Sequence, residues 1–199
     1  MIVCLVGAES TGKSQLAREL AAHFGGACVD EVLREWCMRE GRAPRPEELL
    51  DVAREHERRV DAAAASNAHV FSDAGPLMIA IYGGLLFEDH PLYRFAIERQ
   101  SRCDATLVTG LDLPWVPDGL QRDAAHARED VDALVRGLLR KAGVPFQVVY
   151  GQGAERLQGA LTALGAGKPL SERESNRAWS CEKCSDPECE HRLFRRLGL

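Results

Sequence analysis

A short apolar run, Ile2 to Val6, is followed at once by GAESTGKS, residues Gly7 to Ser14. The spacing G-x-x-x-x-G-K-[ST], set between a strand and a helix, constrains this chain more than any other feature. Consecutive backbone N–H groups in such a loop form a concave nest for phosphate oxygens. The glycines supply backbone angles that other residues resist and let the phosphates approach closely. The following helix adds the partial positive charge of its N-terminus. Lys13 reaches the β and γ phosphates, and the Ser14 hydroxyl can ligate Mg²⁺. Gly7, Glu9, Ser10, Thr11, Gly12, Lys13, Ser14 and Gln15 are therefore the expected nucleotide-binding stretch.

Apolar strand-like runs alternate with helical patterns along the rest of the chain. Lys13 to Phe24 carries Leu16, Leu20 and Phe24 on one helical face, closed by Gly25-Gly26. Strands are expected at Ala27 to Asp30, His69 to Asp73, Asp104 to Thr109 and Phe146 to Tyr150. Helices are expected at Glu31 to Arg39, in the stretch from Ala43 to Ser66 with Pro46 in its first turn, at Leu77 to Leu86, and at Pro91 to Gln100. Two more are expected at Asp130 to Lys141 and Ala154 to Leu164. This alternation predicts an α/β fold: a five-stranded parallel sheet covered on both faces, the three-layer α/β/α form of a P-loop NTPase. The 199 residues suffice for one such domain, expected over 1–165, with a Gly, Pro and Ser linker leading to a small Cys/His tail over 166–199.

Magnesium needs a second protein anchor, usually a carboxylate at the end of a neighbouring strand. Asp73 closes the run HVFSD and fits, although it could also cap the helix that begins near Pro76. Glu31 and Arg34 follow the second strand, where an open parallel sheet holds its ligands. There a carboxylate can accept the proton of an attacking hydroxyl, and an arginine can hold the substrate or the moving phosphoryl group. The competing reading is a charged first helical turn. Arg122 and Arg128 fall in a polar Pro- and Gly-containing stretch after the fourth strand, either a closing lid that brings guanidinium charge to the γ-phosphate or a solvated loop.

The net charge of −5 gives no global bias toward nucleic acid or anionic membrane. No apolar run approaches the ~20 residues of a membrane helix, and MIVCLVG lacks a basic leader. A cytoplasmic protein with reduced thiols is expected. Cys4, Cys28, Cys37 and Cys103 then read as small buried hydrophobes. Cys181, Cys184, Cys189 and His191 are clustered and form a candidate structural Zn²⁺ site; incidental thiols in a polar tail are the alternative. The final HRLFRRLGL reads as a short helix packed on the main domain rather than as a nucleic-acid contact.

GAESTGKS, the E-x-x-R of Glu31 to Arg34, the strand end SDAGP and the later LPWVPDGLQR together resemble the ribosylnicotinamide kinase domain of NadR-type proteins and stand-alone AAA-type ATPase relatives. The similarity spans about residues 1–165. It implies an ATP- and Mg²⁺-dependent, nucleoside-kinase-like enzyme that phosphorylates the ribose 5′-hydroxyl of nicotinamide riboside. It also implies that Glu31 is the base, Asp73 the metal-side carboxylate, and Trp115, Asp118 and Arg122 parts of the lid. Trp36, Tyr82 and Trp115 could stack on a flat ring or be ordinary core and rim residues. Such proteins often carry a second acid two residues after the strand-three aspartate, where this chain has Gly75. No H-x-G-H signature occurs, so the chain is not expected to make NAD from the mononucleotide. The rival function is an ATP-dependent regulatory or binding module whose tail contacts protein or nucleic acid. The oligomeric state, including a homo-oligomer, stays open.

Overall fold

The computed structural model describes residues 1–86, 88, 90–115 and 125–166. Five strands form one parallel sheet: β1 (Ile2–Val6), β2 (Ala27–Val29), β3 (Val70–Asp73), β4 (Ala105–Thr109) and β5 (Gln147–Val149), in the order β2-β3-β1-β4-β5. The helices are α1 (Lys13–Phe24), α2 (Val32–Glu40), α3 (Leu49–Ser66), α4 (Pro76–Tyr82), α5 (Pro91–Ser101), α6 (Ala125–Lys141) and α7 (Ala154–Ala163).

The sequence IVCLV is apolar throughout because β1 is central and covered on both faces. Val3 and Leu5 point to one side, where they pack with Leu16 and Leu20 of α1 and Leu161 of α7. Val6 points to the other, against Leu77 and Met78 of α4 and Leu139 of α6. A third cluster sits beside the sheet and joins α2, α3, α4 and α5 through Leu33, Leu49, Ile79 and Leu92. It builds a helical lobe facing the phosphate loop. Leu5 pairs with Asp73 and Val6 with Val108, so the ends of β1, β3 and β4 lie side by side. That is where a parallel sheet with this switch in strand order opens a crevice.

Two helix starts differ from the sequence expectation. Pro46 precedes α3 rather than opening it. The Glu48 carboxylate accepts the Arg45 N–H at 2.7 Å and both Arg42 guanidinium nitrogens at 2.7 and 2.8 Å, which holds a turn ahead of the helix. Helix α6 begins at Ala125, five residues before the expected Asp130, and so takes Arg128 out of the loop and onto a helix.

The reduced-thiol expectation is corrected at one pair. Cys4 and Cys103 form a disulfide with Cα atoms 6.1 Å apart. They are 99 residues apart in sequence, yet β1 and β4 are neighbours and Cys4 lies opposite Thr106, so the chain entering β4 passes beside it. Cys28 and Cys37 are free and half-buried. The candidate zinc ligands Cys181, Cys184, Cys189 and His191 lie outside the described residues. Among the described residues no helix is long and apolar enough to cross a membrane.

Candidate active site

The loop from Gly7 to Gly12 leaves β1 and wraps over the N-terminus of α1. Gly7 has φ 145°, and a Cβ there would sit 2.5 Å from Thr109 Oγ1, so only glycine fits. Ser10 (φ 54°) and Gly12 (φ 77°) both take left-handed backbone, the turn geometry from which an anion-binding nest is made. A left-handed serine is strained by about 1–3 kcal/mol, and such strain concentrates at functional loops. The loop is anchored from inside. Thr11 Oγ1 donates to the Ala8 carbonyl at 2.7 Å and shares a 2.6 Å hydrogen bond with Thr109 Oγ1 at the end of β4.

Lys13 is buried, and its ammonium donates to the Ala8 carbonyl at 2.7 Å. Burial pulls its pKa below the ordinary lysine value, and the negative charges of Asp73, Glu31 and Glu9 oppose that pull. Asp73 is 1% exposed at the end of β3 and is hydrogen-bonded to the Ser14 side chain. Burial raises its pKa; the Ser14 bond, Lys13 and Arg34 work in the other direction. Among the described residues its buried Oδ1 has no hydrogen-bond partner, a costly arrangement for a carboxylate unless a cation completes it. Ser14 and Asp73 therefore suit a hard divalent cation. Among the described residues no group of three or more His, Cys, Asp or Glu could hold a metal ion, so phosphate oxygens would have to supply further ligands.

Glu31 stands at the N-cap of α2, with its side chain 13% exposed. Burial pushes its pKa up; Lys13 and Arg34 hold it back, and Arg34 Nε donates to its carboxylate at 3.2 Å. Tyr82, at the end of α4, hydrogen-bonds to Glu9. Burial, with the charges of Glu9 and Glu31, pushes that phenol well above its ordinary value. Arg128 on α6 is 7% exposed, donates to the Leu113 carbonyl at 3.0 Å and faces the charges of Glu9 and Asp112. Burial lowers its pKa.

Glu9, Lys13, Ser14, Glu31, Arg34 and Tyr82 border one cleft of about 1160 Å³; Asp73 lies behind it on Ser14, and Arg128 reaches it through the Leu113 carbonyl. The phosphate loop forms its floor. Glu31, Arg34, Met38 and Tyr82 line the side toward the helical lobe, and Leu113, Pro114 and Gln152 line the opposite side. The structure thus brings together Lys13, Ser14, Glu31, Arg34 and Asp73, with Arg128 reaching the same region from α6. The Gln15 and Trp36 side chains stand apart from the cleft. Gln15 is exposed and donates to Glu19 at 2.8 Å, so its side chain turns away from the cleft. Trp36 does not line the cleft; it borders a separate groove of about 410 Å³, with the Arg42 guanidinium 4.8 Å above its ring. Trp115 is 36% exposed, and its neighbours Leu113 and Pro114 are the residues that face the cleft. Arg122 and Asp118 lie outside the described residues.

Sequence reasoning missed Thr109, Asp112 and Arg156. None belongs to a recognisable motif. Arg156 sits in α7, yet it donates to the Thr11 carbonyl in the phosphate loop. An arginine within an otherwise apolar helix face was the one signal available.

A parallel sheet in this order, a glycine-lysine loop after its central strand and an acid at the end of β3 define a P-loop α/β domain. The chain belongs to the AAA domain family, whose model matches residues 2–156. No curated protein sequence matches it significantly. Among solved structures, the NadR protein in complex with NR superposes with a TM-score of 0.69 at 21% identity, covering 85% of this chain and 53% of that one. NadR in complex with NAD and AMP-PNP gives 0.66 at 19%, covering 85% and 51%. The deoxyadenosine kinase from M. mycoides, with products dCMP and dCDP bound, gives 0.58 at 12%, covering 83% and 100%. The chain spans about half the length of the NadR chains it matches. At these identities the likeness is one of fold, and the fold is that of P-loop kinases.

Proposed function

We propose that this chain is an ATP- and Mg²⁺-dependent kinase that phosphorylates the ribose 5′-hydroxyl of a nucleoside, with nicotinamide riboside as the substrate and nicotinamide mononucleotide as the product. The observation that carries the reading is that Glu31 and Arg34 share one cleft with Lys13, whose ammonium also feels the charge of Asp73. The sequence motifs shared with the ribosylnicotinamide kinase domain, and a NadR structure that holds NR, support the choice of substrate.

In this reading the phosphate loop binds the triphosphate through its backbone N–H groups, and Lys13 moves from the Ala8 carbonyl to the phosphates. Ser14 and Asp73 would hold Mg²⁺, which when bound would offset the negative charge of the phosphates. The nucleoside occupies the lobe side, with its hydroxyl toward Glu31. Glu31 accepts the hydroxyl proton, and Arg34 orients that carboxylate through the 3.2 Å contact. Arg128 adds cationic charge at the transferring phosphoryl group. Positioning and charge stabilisation carry most of the rate, because phosphoryl transfer asks for little covalent chemistry from the protein.

The test is purified protein with ATP, Mg²⁺ and a panel of nucleosides that includes nicotinamide riboside, with products read by mass spectrometry. A mononucleotide from nicotinamide riboside alone supports the full reading, and one from another nucleoside corrects the substrate. No product above the ATP-only background ends it.

A further inference from the structure

We infer that Arg156 is a positioning residue that locks the two loops on the nucleotide side of the cleft to the phosphate loop, so that base and triphosphate are gripped by one rigid frame. This rests on the ATP-dependent reading above.

The guanidinium is 4% exposed and makes hydrogen bonds to three separate segments. One Nη donates to the Thr11 carbonyl in the phosphate loop. The other Nη donates to Asp112 Oδ1 at 2.5 Å, in the segment after β4. Nε donates to the Gly151 carbonyl at 2.7 Å, in the segment after β5. Asp112 closes the arrangement by accepting the Gly151 N–H on its other oxygen at 2.6 Å. A planar fork with fixed donor directions is suited to joining three loops at once, and a lysine could not match it.

Of the three segments it joins, one is the floor of the cleft and the other two border it opposite Glu31. Leu113 follows Asp112, and Gln152 follows Gly151; both line the cleft with Pro114. Leu113 also lies over the phosphate loop, since a Cβ on Gly12 would meet its Cδ1 at 3.0 Å. An apolar wall with a side-chain amide is the chemistry that receives a flat nitrogenous base. The phosphate loop has anchors of its own, the Thr11 bonds to Ala8 and Thr109. Arg128 also holds the Asp112 segment, at the Leu113 carbonyl, but it does so from α6; the hydrogen bonds that tie the Asp112 and Gly151 segments to the phosphate loop run through Arg156. Removing the guanidinium should therefore loosen the base side while leaving the phosphate nest standing.

The experiment measures binding of a non-hydrolysable imido analogue of ATP and of inorganic triphosphate, each with Mg²⁺, by calorimetry on the full chain and its variants. Arg156→Met is expected to weaken the ATP analogue about tenfold or more and triphosphate by less than about threefold. Arg156→Lys is expected to recover part of the loss through one remaining contact. Asp112→Asn keeps an acceptor for the Gly151 N–H but drops the carboxylate facing Arg156; it should show the same selective loss and carries the test if Arg156→Met does not fold. Unchanged affinity for the analogue, or an equal loss for both ligands, overturns the inference. If the parent protein binds neither ligand, the ATP-dependent reading falls and takes this one with it, an outcome visible before any variant is made.

Discussion

Thr11 and Thr109 share a 2.6 Å hydrogen bond that ties the phosphate loop to the end of β4. Both are fully buried, so neither hydroxyl has water as an alternative. Thr109→Val keeps the shape and removes one partner. A loss of about 1–2 kcal/mol in urea unfolding is expected, with a raised KM for ATP, because the loop loses its support from below. Unchanged stability together with unchanged KM would count against this anchor.

Lys13→Ala should reduce kcat/KM by at least about 10²-fold, since one preorganised cation at the transferring group is removed. The fold should survive, because a buried ammonium is costly to keep and its main-chain bond to Ala8 is local. Circular dichroism and turnover, measured on the same preparation, separate the two effects.

The Glu31 carboxyl is raised by burial, so a base role has a defined signature in pH. The residue must be ionised to accept a proton, and the acid-side fall in kcat/KM should lie at a higher pH than an unperturbed glutamate would give. Glu31→Gln should lower kcat and abolish that acid limb. A variant that keeps the limb assigns it to another group.

His56 on α3 is fully buried with Nε2 2.7 Å from Ser72 Oγ, and burial depresses its pKa to about 4. The unfolded chain binds a proton near the ordinary histidine pKa, while the folded chain resists until about 4. Stability from the neutral ring is therefore complete above the unfolded value and declines as pH falls toward about 4, by roughly 3 kcal/mol in total. His56→Met lacks this dependence. Its stability deficit relative to the parent, measured in urea at several pH values, should shrink on acidification.

We propose that Cys181, Cys184, Cys189 and His191 hold Zn²⁺, which predicts about one zinc per chain as purified. Metal analysis on freshly reduced, chelator-free protein checks it, and a value near zero removes the zinc assignment.

The strands and the phosphate loop were legible in the sequence because both signals are local. IVCLV is an uninterrupted apolar run, and Gly7, Gly12 and Lys13 sit within one turn of chain. The placement of Asp73 and Glu31 beside the phosphate loop was readable because both follow strand ends, and strand ends in a parallel sheet lie together. The Cys4–Cys103 bond and the Arg156 contacts were not, since each depends on which strands become neighbours, a fact that no window of sequence contains. Arg128 was named for its charge, but its helix was placed five residues late because a polar, Ala-rich start lacks an apolar stripe to mark it. Of the two readings open for Trp36, the structure favours the rim. Its ring is covered by Arg42 from the loop ahead of α3, whose turn is set by Glu48 rather than by helix propensity.

The sulfur bridge between Cys4 and Cys103 outlasts the fold itself. In the oxidised chain everything from the phosphate loop through α5 belongs to a closed ring even when denatured, and such closure over about 100 residues removes roughly 4–5 kcal/mol of conformational freedom from the denatured ensemble. The central strand β1 and its neighbour β4 would then start each refolding attempt already tethered. The pairing most remote along the chain would be the one that needs no search.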